Sequence, residues 1–375
     1  MNRTHGGPLS CTAEKLLPSM PPPVPVSRHR PSAADPTKPF RGIGRGLLIL
    51  LLLGVVTFAA LGFVGDFDQI RDLIGGFDGG VLTLVLLLSA VNYGLRFIRW
   101  QVYLHRLDVR LPIGRSLAIF LTGFLLAVTP GKAGELAKAW MAREFGAYRA
   151  RPVVAVVVTE RLLDVIAVLL LLASSVVVFT GQRSFTATIV LVAAAAVIAL
   201  VYRPLTDRLM PMLAKTRLGA GRAAMLVDIH QAFNRLVEPR MLLVGLALST
   251  TAWAAEGIGC ALVVRHYEPA VPMLASVFDY AASSIAGAAS MLPGGLLATE
   301  GSLVLLLERQ GVALDAAMAS TVIVRAATLW FAVIVGLLSL PWVLVLLRRA
   351  TDVNDHEHSE AVEPDIDQER DVEQQ

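Results

Sequence analysis

The chain has 375 residues, of which 55% are hydrophobic and 17% charged, and its formal net charge is +3. This composition, with a mean hydropathy of +0.63, is typical of an integral membrane protein and excludes an ordinary soluble or disordered chain. It contains two cysteines, Cys11 and Cys260, so we expect neither a disulfide framework nor a cysteine metal site.

Apolar stretches long enough to cross a membrane occur six times, since the hydrocarbon core needs roughly 20 helical residues. They are 44–64, 80–98, 152–180, 186–202, 241–264 and 316–347. Residues 1–43 are basic and Pro-rich, and we predict a disordered cytoplasmic leader there. Residues 351–375 contain ten Asp or Glu and are predicted to be an acidic, disordered cytoplasmic tail.

The distribution of charge over the loops predicts the orientation of the chain. The leader and the loop 203–240 are basic, whereas the loop 65–79 contains four Asp and one Arg. Because basic loops stay in the cytoplasm, we predict cytoplasmic N- and C-termini. We expect the protein to be a multi-pass component of the plasma (inner) membrane.

Two further apolar segments are each interrupted by a Pro-Gly break. The first, 116–142, breaks at Thr129-Pro130-Gly131 and has basic flanks on both sides. Each arm of about 12 to 14 residues reaches only about 20 Å into a core of about 30 Å, which predicts a re-entrant hairpin. The second, 279–308, breaks at Leu292-Pro293-Gly294-Gly295, and we predict a second hairpin there.

The order of these segments predicts an inverted repeat. The units 44–180 and 186–347 each read as span, span, hairpin, span, and they begin on opposite faces of the membrane. The proline of the break precedes Arg161 by 31 residues in the first unit and Arg325 by 32 in the second. The expected fold is therefore an all-α polytopic membrane protein with about six spanning helices and two re-entrant hairpins, eight hydrophobic segments in all, as in many transporters.

Charged residues inside the first unit are candidate site residues, because each costs roughly 2.5 to 3.5 kcal/mol at the centre of a bilayer. Lys132 and Glu135 follow the first break, where free backbone N–H groups at the start of the arm would favour a phosphate. Glu160, Arg161 and Asp164 follow on the next span, where Arg161 and Asp164 share a flank. A purely structural ion network is the alternative interpretation.

The second unit has matching residues. Glu300 follows the second break as Glu135 follows the first, and Arg325 lies at a similar depth in the last span. Glu256 is a further membrane acid that could pair with an arginine of either unit. We expect Lys138 to extend towards the headgroups by snorkelling.

The segment NYGLRFIRW supplies Asn92, Arg96 and Arg99 near the cytoplasmic end of the second span. Snorkelling and contact with a lipid headgroup both explain these arginines. No histidine lies in a predicted span and no nucleotide-binding motif is present, so we expect no catalytic constellation, no metal site and no cofactor. Nothing in the chain predicts nucleic-acid binding.

The motifs NYGLRFIRW, TPGKAGE, TERLLD and MLPGG, with Glu300-Gly301 and Arg325, resemble a flippase-like membrane family. This family includes the transmembrane region of lysylphosphatidylglycerol synthases, also called multiple peptide resistance factors. The resemblance covers about 44–347 and departs from the usual pattern PGGxGxxE at Leu297, where a glycine is expected. It implies a lipid translocase fold. Since only about 28 residues follow the last span, the synthase reaction itself is not expected.

We therefore expect a lipid flippase or transporter of an anionic phospholipid or lipid-linked phosphate. In this hypothesis Lys132, Arg161 and Arg325 hold the phosphate, and the four carboxylates balance or gate it: Glu135, Glu160, Asp164 and Glu300. Two alternatives stay open. One is a non-transporting membrane partner of a lipid-modifying enzyme or glycosyltransferase, and the other is an enzyme acting on a lipid phosphate. The candidate protein partners are a second copy of the chain, in a homo-oligomer, and a glycosyltransferase.

Overall fold

The structure, a computed structural model, describes residues 43–126, 134–146, 151–180 and 223–362 together with a few positions between 188 and 212. All regular structure in these residues is helical, which confirms the all-α class. Three helices there are long and apolar enough to cross a membrane, and each matches a predicted span: Gly79–Arg106, Pro239–Tyr267 and Leu314–Leu347. The total number of spans, the re-entrant insertion and the inverted repeat remain predictions.

The helices between residues 43 and 180, called here the first part of the chain, are named in chain order. They are α1 (Ile43–Val64), α2 (Phe67–Gly75), α3 (Gly79–Arg106), α4 (Ile113–Leu126), α5 (Ala137–Glu144) and α6 (Arg151–Thr180). The first break at 129–131 and the candidate Lys132 lie outside the described residues, as do eight of the 17 positions in the predicted span 186–202.

The second part of the chain covers residues 223–362. It begins within the predicted loop 203–240, where a helix forms. Its helices are α7 (Ala223–Leu236), α8 (Pro239–Tyr267), α9 (Met273–Ala289), α10 (Ala298–Arg309), α11 (Leu314–Arg325) and α12 (Phe331–Val362). A short 3₁₀ turn, Pro293–Gly295, separates α9 from α10, and a π-helical segment, Ala326–Trp330, joins α11 to α12.

Local chemistry sets several helix ends. The carboxylate of Asp66 accepts hydrogen bonds from the backbone N–H groups of the first turn of α2, and Asp78 accepts one from Val81 at the start of α3. These are N-caps, which satisfy donors that have no partner within the helix. Pro239 occupies the first turn of α8, where its missing N–H costs nothing.

The helices pack in reciprocal pairs. Helix α3 packs along α8, α4 packs along α12, and α9 packs along α6. The two helices around each break run antiparallel: Arg115 on α4 donates to the carbonyl of Phe145 after α5, and Gln310 after α10 donates to Asp279 on α9. The last helix of each part therefore contacts a hairpin arm of the other.

The second break needs unusual backbone angles. Gly294 and Gly295 have φ of 63° and 66°, and Leu297 has φ of 68° with ψ of −50°. Such angles cost an L-residue with a side chain of order 1 to 3 kcal/mol. Leu297 is the position where the resembling pattern has glycine, and the backbone there adopts a conformation that favours glycine.

The C-terminal helix is longer than the sequence predicts. The last span was expected to end at 347, with a disordered tail from 351, but α12 continues to Val362. The reason is that extending an existing helix avoids the unfavourable nucleation step. Residues 363–375 lie outside the described range.

We predict that Gly336→Ala destabilises the protein, because Gly336 lies at the contact of α12 with α4. A Cβ atom at this position would lie 2.9 Å from the backbone nitrogen of Leu125, and helix backbones cannot separate without losing other contacts. Overpacking of this kind typically costs about 1 to 3 kcal/mol, so the thermal unfolding midpoint of the purified protein should fall.

The matched control is Gly94→Ala on α3, where a Cβ would meet nothing within 4 Å. This variant should keep or slightly raise the midpoint, since alanine favours helix over glycine. Equal midpoints for the two variants would contradict the close α4–α12 contact.

Candidate functional site

A cavity of about 560 Å³ lies between the two parts of the chain. Charged and hydroxyl side chains from both parts face it, among them Tyr93, Arg96, Arg161, Asp164, Glu256 and Arg325. The remaining wall is largely apolar. Since the chain is otherwise hydrophobic, these charges form a polar site within a membrane protein.

Asp164 on α6 is the centre of the charged cluster. Its carboxylate lies 2.7 Å from Nη1 of Arg99, 3.2 Å from Nη2 of Arg161 and 3.6 Å from Nη2 of Arg96. Three guanidinium groups therefore share one carboxylate. Two of them, Arg96 and Arg161, line the cavity.

Glu160 and Glu135 extend this cluster. Nε of Arg99 lies 3.7 Å from the carboxylate of Glu160. Nε of Arg161 lies 3.5 Å from the carboxylate of Glu135. Lys138 lies between the two acids, with Nζ 3.8 Å from Glu160 and 3.5 Å from Glu135. All predicted charged site residues of the first unit within the described range thus belong to one network.

The expectation that Lys138 snorkels is wrong. Its side chain is buried, and Nζ lies 5.2 and 5.5 Å from the ring centroids of Trp100 and Phe120. Two carboxylates and two aromatic faces hold the ammonium group inside, and only the three-residue spacing from Glu135 hinted at this in the sequence.

Snorkelling is also wrong for Arg99, which is fully buried and donates to the hydroxyl of Ser249 on α8 as well as to Asp164. Asn92, on the same helix, donates to the carbonyl of Ala252 at 2.8 Å. Asn92 and Arg99 are therefore held in the α3–α8 contact, whereas Arg96 faces the cavity. The sequence placed these side chains near each other but could not separate their roles.

The second part supplies the opposite wall. Arg325 donates from Nε to Glu300 at 2.5 Å and from Nη2 to the carbonyl of Gly294 at 2.7 Å. The guanidinium thus ties α11 to α10 and to the second break. The pairing of Arg325 with Glu300 is a finding of the structure, since the sequence analysis named Glu256 as the candidate partner of an arginine.

Two tyrosines join this wall, and sequence reasoning missed both. Tyr280 donates to the carboxylate of Glu256 at 2.5 Å, and Tyr93 donates to the carbonyl of Thr328 at 2.9 Å. Buried tyrosine hydroxyls usually find such partners. Tyr93 lies in the motif NYGLRFIRW, where the sequence analysis considered Asn92 and the two arginines, and Tyr280 lies outside the quoted motifs.

The two walls carry opposite formal charge among the described residues. The wall of the first unit has four cations and three carboxylates: Arg96, Arg99, Lys138, Arg161, Glu135, Glu160 and Asp164. The opposite wall has one cation and two carboxylates: Arg325, Glu256 and Glu300. An anion is thus favoured near the first wall.

Some buried donors of the first wall lack a hydrogen-bond acceptor. The Nε atoms of Arg96 and Arg161 are buried without one in the described part of the chain, although Nε of Arg161 is 3.5 Å from Glu135. Native proteins rarely leave buried donors unsatisfied, so these N–H groups are candidates for contact with a ligand. Within the same residues, no group of three His, Cys, Asp or Glu could hold a metal ion.

An all-helical, strongly apolar chain that encloses an ion-lined cavity defines a polytopic membrane protein with an internal polar site. The chain belongs to the family described as the lysylphosphatidylglycerol synthase TM region, whose model matches residues 48–336. This confirms the resemblance drawn from the motifs.

Two relatives, both described as "UPF0104 membrane protein" from Methanothermobacter thermautotrophicus, are similar over most of their length. One is 21% identical over 319 residues, covering 78% of this chain and 94% of the relative. The other is 26% identical over 325 residues, covering 78% of this chain and 92% of the relative. These names indicate a membrane protein and specify no activity.

We predict that Asp164→Asn strongly destabilises the protein. The change removes the shared counter-charge of three arginines, one of them fully buried. Breaking a buried ion pair from one side typically costs about 3 to 5 kcal/mol. The free energy of unfolding in denaturant should fall by that order.

Asp228→Asn is the matched control, because Asp228 pairs with Arg151 at 3.0 Å on the surface. Exposed pairs contribute about 0 to 1 kcal/mol, so this variant should unfold nearly as the native protein does. A small effect at Asp164 would show that the cluster is not the main electrostatic constraint of the fold.

Proposed function

We propose that this protein is a lipid flippase or transporter that handles an anionic phospholipid or a lipid-linked phosphate, with the phosphate held in the cavity. The observation that carries the proposal is the sharing of one carboxylate, Asp164, by three guanidinium groups. The two that line the cavity, Arg96 and Arg161, each have a buried N–H donor without an acceptor among the described residues.

Phosphate oxygens would supply hydrogen-bond acceptors for the buried N–H donors of this wall. Guanidinium–phosphate hydrogen bonds are charge-assisted and can be bidentate, so they are stronger than bonds between neutral groups. A phosphate at Arg96 and Arg161 would accept from their free N–H groups and neutralise the excess cation. Arg325 on the opposite wall lies where it could join or release the same group.

The apolar part of the cavity suits the acyl or prenyl chain of a lipid. Val165 on α6 and Ile285 on α9 line it, together with Met291 and Leu292 at the second break. Val165 and Met291 are also about half exposed or more, so an apolar chain could contact them. A headgroup inside and a chain reaching out between α6 and α9 would fit these contacts.

The same proposal includes the membrane arrangement. Six spans and two re-entrant hairpins in an inverted repeat would place the two walls on different repeats. The reciprocal packing of α4 on α12 and of α9 on α6 supports this, because a two-fold relation between repeats pairs each hairpin with the last span of the other. Rocking of one repeat against the other would then expose the cavity to alternate faces.

We also propose that the chain acts without chemistry of its own, in the plasma membrane and with both termini in the cytoplasm. The family description names the TM region of a synthase and states no activity for that region. The carboxylates of the cluster are held in ion pairs with arginine or lysine, and a carboxylate paired in this way is a weak general base.

The test is lipid movement by purified protein in liposomes. Headgroup-labelled phosphatidylglycerol is placed in one leaflet and its appearance in the other is followed. Arg161→Gln should slow this movement by about 10-fold or more, because each charge-assisted hydrogen bond contributes about 1.5 to 3 kcal/mol. Arg325→Gln should also slow it.

Arg151→Gln is the control on the same helix. Arg151 lies on the surface with more than half of its side chain exposed, so its loss should leave the rate unchanged within about twofold. Equal rates for native protein and empty liposomes with every anionic lipid tried would sink the transport proposal and favour a non-transporting partner role.

A further inference from the structure

A second polar group lies outside the cavity, in the pair formed by α9 and α10. Asp279 on α9 is 1% exposed, and its carboxylate accepts a hydrogen bond from the amide of Gln310 just after α10. In the described residues no lysine or arginine forms an ion pair with Asp279. The charged network of the cavity therefore does not include it.

Among the described residues, the groups of neighbouring helices that face Asp279 are neutral. They are Gln310 near the end of α10 and the Cys260 thiol on α8. Helix α6 meets α9 through apolar side chains such as Val168 and Leu172. Since a buried carboxylate is costly unless a positive charge accompanies it, the site requires a cation that these residues do not supply.

Two oxygens beside this carboxylate have no hydrogen-bond partner among the described residues. Ser276 Oγ, one helical turn before Asp279 on the same face, is fully buried and unpaired, and so is the Oε1 atom of Gln310. The buried hydroxyls of Ser249 and Thr321, by contrast, donate to the carbonyl four residues earlier. The Ser276 hydroxyl is free to turn towards a ligand.

We propose that Asp279, Gln310 and Ser276 form a binding site for a monovalent cation, a proton or Na⁺. Rotation of the Gln310 amide exchanges its donor for its acceptor, since the two ends are nearly the same shape. Either cation is then held by oxygens alone: Na⁺ by all three side chains, or a proton shared between Asp279 and Gln310. Hard cations select oxygen ligands of this kind.

The position of the site connects it to the cavity. Asp279 lies six residues after the start of α9, about 9 Å along the helix, and Gln310 follows the end of α10, so the cation enters where the hairpin begins and ends. The next residue, Tyr280, donates to Glu256 in the cavity wall, and the far end of α9 forms part of that wall. A cation bound at Asp279 therefore acts on the helix that borders the lipid phosphate. This coupling role rests on the proposed function, whereas cation binding does not.

The experiment measures the thermal unfolding midpoint of the purified full-length protein with no lipid substrate added. One series replaces choline chloride by NaCl at constant ionic strength and fixed pH, and a second varies pH in choline chloride. A bound cation should raise the native midpoint by about 2 to 4 °C. A response in the first series identifies Na⁺, and a response in the second alone identifies the proton.

Asp279→Asn should abolish that response, because the amide carries no charge to be neutralised. Glu308→Gln, an equivalent change at an exposed position of α10, should retain it. If Asp279→Asn does not fold, Gln310→Met serves instead and should weaken the apparent affinity about tenfold.

A native protein that responds in neither series overturns the proposal, as does an Asp279→Asn variant that keeps the native response. Because no lipid is present, this result is independent of the liposome assay. Loss of lipid movement with an intact cation response would count against the flippase and leave the cation site standing.

Discussion

Three guanidinium groups converge on the carboxylate of Asp164 inside an apolar helical protein. Charges in such an interior must be compensated locally, because no water is available to do so. This one requirement fixes the relative positions of α3, α5 and α6, and it explains why Arg99 and Lys138 are buried. It also leaves two arginines directed to the cavity with hydrogen-bonding capacity to spare.

The opposite wall meets the same requirement differently. Arg325 is balanced by Glu300 and by a carbonyl of the second break, so its position depends on the glycine-rich turn. Leu297, with φ of 68°, shows that this turn is held in a strained form by its surroundings. One wall is therefore built on rigid helix contacts, and the other on a backbone turn that stores conformational energy.

The sequence predicted the helices well where hydropathy alone decides them. The first span was expected at 44–64 and forms over Ile43–Val64. The first arm of the second hairpin is predicted to start at 279, but its helix begins at Met273. The predicted start is too late because Ser276 and Asp279 interrupt the apolar pattern, although the fold buries both. A hydropathy pattern predicts a helix boundary at such polar residues, whereas in the folded protein they are buried within the helix.

The charged motifs predicted which residues are candidates for the site, but they did not predict the role of each residue in it. Arg99 and its partner Asp164 are 65 residues apart, so no local spacing could distinguish Arg99, buried against α8, from Arg96, which faces the cavity. Lys138 was read as an interfacial residue because its carboxylate on α6 and its aromatic neighbours are distant in sequence. Tyr93 and Tyr280 carried no signal for the same reason.

The π-helical segment Ala326–Trp330 follows directly after Arg325. A π-helical turn contains about one residue more than an α-helical turn, so it sets the rotation of α12 relative to Arg325. Deleting a single residue there would restore a regular helix but rotate one side by about 100°. Either Arg325 would leave Glu300, or Gly336 would leave its contact with α4. Between Arg325 and Gly336, substitutions should therefore destabilise the protein far less than an insertion or a deletion.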